Sequence, residues 1–170
     1  MTYHETIIDL IYHILNGGEE YLKNIDKGNA YDKIIRNYHQ FNSNGDKCYR
    51  NKKSKDFYKF SETAWTANKK DWYYEHLIPV KLIKEKLNKL INDRQVSKEN
   101  ICQILNETEF VVITKEEAKK VDAFPKNKID IPKDGRTRLE VVGIMIHPES
   151  KKNNLGIIKI ETLLTKPKLH

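Results

Sequence analysis

Residues Glu75-His76-Leu77-Ile78-Pro79 set a carboxylate and an imidazole side by side, just before an apolar pair and a proline. The chemistry open to such a pair is metal-assisted hydrolysis. A hard divalent ion held by oxygen ligands stabilises charge on a leaving oxygen. An imidazole that titrates near neutrality can draw a proton from water. Successive side chains of a strand leave on opposite faces, so Glu75 could hold an ion while His76 faces water. The plainer alternative is a satisfied acid–histidine pair at a strand end.

The pair needs elements to position it. "WYYEHLIPV" has the aromatic residues of a strand, with Tyr73 and Tyr74 on opposite sides, and Pro79 closes it. "VKLIKEKLNKLIND" follows as an amphipathic helix with Leu82, Ile83, Leu87, Leu90 and Ile91 on one face. "SKENICQILNE" reads as a second helix capped by Ser97, "FVVIT" as a short buried strand, and "TKEEAKKV" as a helix opened by a Thr114–Glu117 capping box.

Upstream, Ile7, Ile8, Leu10, Ile11, Ile14 and Leu15 recur at helical spacing and stop at Gly17-Gly18. "EEYLKNID" and "NAYDKIIRNYHQF" continue an N-terminal helical layer, with Tyr31, Ile34, Ile35 and Tyr38 sharing a face. "NSNGDKCYRNKKSKD" is an exposed basic loop, and "SETAWTANKK" a short helix capped by Ser61. Downstream, "GIMI" and "GIIKIETLL" are strand-like. The class is α+β and helix-rich, with the helical region and basic loop over residues 1–60 and the remaining core over 61–170, the two expected to form one compact unit.

Net charge is +7, from 31 Lys and Arg against 24 acids, which favours a phosphate-bearing partner. Only five of the 31 are Arg, the stronger phosphate reader, which tempers that inference. Cys48 and Cys102 form no CxxC pair and have no histidines at zinc-finger spacing, so reduced thiols in a cytoplasmic protein are expected. The N-terminal apolar stretch is broken by acids and histidines and reads as neither signal peptide nor membrane span.

The Glu75–Pro79 motif, followed at a distance by "FVVIT" running into a helix with acids in its first turn, resembles the HNH, or ββα-metal, nucleases. "DGRTRLEVVGIMI" is similar to a segment of restriction-linked members of that group. The resemblance implies a ββα-metal-like core with a short C-terminal β segment, and a magnesium- or manganese-dependent endonuclease acting on double-stranded DNA. It implies His76 as general base, Glu75 as metal ligand, and Glu117 with Asn106 completing the shell. Glu117 has a second explanation in the capping box. Arg136, Arg138, Lys69, Lys70 and Lys81 would meet the phosphate backbone, and double-strand cleavage would suit a homodimer. Trp65 and Trp72 read as core. The rival expectations are a non-catalytic nucleic-acid binder on the same scaffold and a small interaction or inhibitor protein from a mobile element.

Overall fold

The computed structural model describes residues 1–27, 29–48, 54–107, 109–123 and 137–150. The chain is helix-rich with a small three-stranded sheet, an α+β protein as expected. It divides into two units that interleave along the sequence. Residues 1–47 and 80–107 belong to the first, together with 155–170, and residues 48–79 and 108–154 to the second. The helices after Pro79 cluster with the N-terminal ones because their apolar stripes find partners there.

The first unit is helical. Helix α1 (Tyr3–Asn16) starts at a capping box in which Thr2 and Glu5 satisfy each other's backbone N–H. Ile7, Ile8, Ile11, Ile14 and Leu15 are buried, while Leu10, which shares their spacing, is 43% exposed. Gly17 ends α1, and Gly18 opens α2 (Gly18–Asp26) at φ +79, a conformation that L side chains disfavour. Helix α1 packs on α3 (Ala30–Gln40), α6 (Val80–Asn92) and α7 (Lys98–Asn106). The core between them holds Tyr31, Ile35, Tyr38, Ile83, Leu87, Ile101 and Leu105. The expected stripe of α6 is thus buried at its centre, with Leu82 and Ile91 only half-buried.

The second unit carries the sheet. Its elements are α4 (Ser54–Phe57), β1 (Lys59–Phe60), α5 (Glu62–Thr66), β2 (Trp72–His76), β3 (Phe110–Thr114), α8 (Lys115–Ala123) and α9 (Arg138–Val141). Strand order is β1-β3-β2, with β1 parallel and β2 antiparallel to β3. The β2–β3 ladder pairs Trp72 with Thr114, Glu75 with Val111 and His76 with Phe110.

Period-two alternation then gives the sheet two different faces. One is aromatic: Phe60 meets Trp72 edge-on at 4.9 Å, and Tyr58, Tyr74 and Phe110 contact one another. The other is aliphatic: Val111 and Ile113 pack with Ala118 and Val121 of α8, and with Leu139 and Ile144. The "GIMI" segment contributes an isolated bridge, Ile146 to Ser61, rather than a strand. "GIIKIETLL" lies outside the described residues.

Candidate functional site

Strand β2 pairs antiparallel with β3, and β3 runs on into α8, with α6 and α7 between the two strands in sequence. Trp72, Tyr74 and His76 are buried on the aromatic face, whereas Glu75 shares the α8 face with Val111. His76 is 4% exposed, and its ring lies 4.0 Å from that of Phe110. A general base must reach the proton it abstracts, directly or through one water. His76 is instead seated among aromatic side chains, on the opposite face from Glu75.

Glu75 accepts a hydrogen bond from Arg138 Nη1 at 3.0 Å, and both side chains are more than four-fifths buried. Arg138 thus enters the site as the partner of the proposed metal ligand. Arg136 lies outside the described residues.

Glu117 has another task. Its Oε2 accepts from the Thr114 backbone N–H and from the Ser61 hydroxyl, each at 2.7 Å, and its own N–H donates to Thr114 Oγ1. This is the capping box, extended by a serine that in turn caps α5 through Ala64 N–H. Thr114 stands three residues beyond the partner of Glu75 on β3, about 10 Å along the strand. Oxygens bound to one magnesium ion lie about 2.1 Å from it, far closer together than those anchoring positions.

Asn106 ends α7 in the helical unit. It accepts from the Tyr38 hydroxyl at 2.8 Å and donates to Cys102 Sγ at 3.4 Å. Tyr38 and Cys102 are buried, whereas Asn106 is exposed. Desolvation, with the Cys102 sulfur a smaller cause, pushes the Tyr38 phenol well above its ordinary pKa. Burial likewise raises the Cys102 thiol. Lys81 stands on α6, exposed and 3.9 Å from Glu85.

Glu75 Oε1 and Glu117 Oε2 are thus each engaged by partners within the sheet-bearing unit, at well separated places on the sheet, and the two carboxylates do not fit one divalent ion. Among the described residues, no group of three or more His, Cys, Asp or Glu side chains is placed to hold a metal ion.

The structure adds two residues at Glu75's end of the sheet. Lys59 of β1 pairs with Val111, as Glu75 does from the other side, so Lys59, Val111 and Glu75 form one cross-strand row on the α8 face. Glu109, two residues before Val111, shares that face and bonds Lys59 Nζ at 2.5 Å. Two largely buried ion pairs, Lys59–Glu109 and Arg138–Glu75, thus flank the end of the ladder. Glu109 was legible as the odd-numbered partner of Val111 in the alternation. Lys59 belongs to a strand of two residues, too short to leave a pattern.

Trp72 is core, as expected, with its indole N–H donating to Ala64 O. Trp65 is half-buried, stacked on the His147 ring at 4.5 Å, with Lys55 Nζ 4.2 Å from its centroid. Cys48 and Cys102 are buried and form no disulfide. No described helix is long and apolar enough to cross a membrane.

Comparison with protein-family models, with curated proteins and with solved structures finds no match to this chain.

Proposed function

We propose that the chain binds nucleic acid through its sheet-bearing unit, on a ββα-like scaffold whose acids serve mainly as internal partners. The observation that carries this reading is the segregation of charge. Residues 48–79 and 108–154 hold 17 Lys and Arg against 12 Asp and Glu, whereas residues 1–47, 80–107 and 155–170 hold 14 against 12. An excess concentrated in one unit supports counterion release at a phosphate backbone there.

Fluorescence anisotropy of labelled DNA and RNA oligonucleotides against a salt series tests the reading. Binding that weakens linearly in log–log form as salt rises supports it. Absence of binding at about 50 mM salt would sink it.

One observation favours a second reading, the metal-dependent endonuclease. Glu75 and Glu109 are largely buried on one face beside two cations, at the strand end that the motif marks. Those two carboxylates would be the ones to hold an ion, which would supply positive charge at a scissile phosphate. Plasmid nicking in magnesium or manganese, abolished by Glu75→Gln, would establish this reading. A His76→Ala variant that stays folded and nicks at the wild-type rate would remove the histidine from it.

A further inference from the structure

We infer that the contact face is the Trp72/Thr114 end of the sheet and that its ligand is single-stranded nucleic acid. The inference rests on the nucleic-acid reading above and narrows it to a place and a strand state. In the antiparallel ladder, the chain entering β2 and the chain leaving β3 share one end, because Trp72 pairs with Thr114. Lys69 and Lys70, in the short 3-10 turn before β2, therefore stand at the same end as Lys115, the first residue of α8.

All three lysines are exposed, and none has a carboxylate partner among the described residues. Several other lysines of the described residues are neutralised locally. Lys59 is held by Glu109, Lys84 by Asp32, Lys98 by Asp9 and Lys119 by Glu116. The acids at this end are Asp71, Glu116, which is closed on Lys119 at 2.7 Å, and Glu117, which is buried and turned onto the Thr114 N–H. Lys69, Lys70 and Lys115 are the exposed cations of this end that carry no ion pair among the described residues.

The strand state follows from Tyr73. It is one residue into β2 and 41% exposed, while its neighbours Trp72 and Tyr74 are buried. An aromatic face beside cations binds bases that are already unstacked, since a base inside a duplex has no face to offer. Lys70, in the 3-10 turn, stands three residues before Tyr73, close enough for both to meet one short stretch of strand.

The test is anisotropy of a labelled twelve-residue oligothymidine and of a duplex of equal length, each with the full chain. Variants are Lys69→Glu/Lys70→Glu/Lys115→Glu combined, Tyr73→Ala and Tyr73→Phe, with Lys33→Glu on α3 as the control. The oligothymidine should bind more tightly than the duplex. The triple variant should lose at least tenfold affinity and about two units of log–log salt slope. Tyr73→Ala should lose about 5- to 100-fold and Tyr73→Phe little, because the ring and not the hydroxyl stacks. Wild-type affinity in the triple variant, with wild type still binding, would overturn the assigned face and leave the broader reading standing. Duplex bound as tightly as oligothymidine would overturn the strand preference. Binding of neither would overturn both.

Discussion

Glu117 separates a structural acid from a metal ligand most sharply. Replacing it with alanine removes the acceptor for two buried donors, the Thr114 N–H and the Ser61 hydroxyl, both at 2.7 Å. Loss of a capping interaction costs about 0.5–2 kcal/mol, and a buried donor left without a partner costs about 1–3 kcal/mol. These terms overlap, because the same carboxylate serves both, so the net loss is about 3 kcal/mol. For a chain of this size each kcal/mol moves the melting temperature by about 2–4 °C, so Glu117→Ala should melt about 6–12 °C lower. Glu117→Gln keeps an oxygen that can accept from Thr114 N–H, and should lose less than half as much. Thermal melts with and without EDTA, followed by circular dichroism, make the measurement. An acid kept for an ion would behave in the opposite way, its removal leaving the chelated protein as stable or more so. A Glu117→Ala melt in EDTA that matches or exceeds wild type would refute the capping argument.

Two further outcomes follow from the buried polar groups. His4 is fully buried, its Nε2 within 3.0 Å of the Tyr38 and Phe41 carbonyls and its buried Nδ1 without a hydrogen-bond partner. Burial lowers its pKa from the ordinary value of about 6.5, against the opposing pull of those carbonyls. The unfolded chain then binds the proton more readily, so the contribution is whole above about pH 6.5 and drains away as pH falls through the folded value. Urea midpoints between pH 7.5 and 5 should decline more steeply for wild type than for His4→Gln, and equal slopes would refute this. The Glu75–Arg138 pair, more than four-fifths buried, should show a coupling of about 1–2 kcal/mol in a double-mutant cycle with Glu75→Gln and Arg138→Met. A coupling under about 0.5 kcal/mol would mean that the two are neighbours without mutual stabilisation.

The helices were legible because their signals are local. Ser97 and Ser61 cap the helices they were expected to cap, and the Thr114–Glu117 box closes with both of its bonds. The long strands were legible from aromatic and β-branched runs, and Tyr74 inside with Tyr73 outside follows from period two. What escaped was short or tertiary. A strand of two residues (Lys59–Phe60) has no period to detect, and helices of four residues (Ser54–Phe57, Arg138–Val141) add too little pattern to rise above loop. Leu10 obeyed helical spacing yet faces solvent, since spacing fixes which residues share a face but not how wide the buried stripe is. The surroundings of the candidate residues belong to the same level. Adjacent residues could be assigned to opposite faces, but whether His76 meets water or Phe110 depends on which face the rest of the unit covers.

The interleaving of the two units bears on how this protein can be dissected. The chain passes from one unit to the other near residues 47, 79 and 107, so no single cut yields an intact piece. A fragment beginning at residue 61 keeps α6 and α7 but strips them of α1 and α3, and it removes β1, the strand flanking β3. Excising 80–107 and bridging the gap with a short turn would instead join His76 to Phe110, already partners in the ladder, as a hairpin. That deletion, rather than a terminal truncation, is the natural minimal form of the sheet-bearing half.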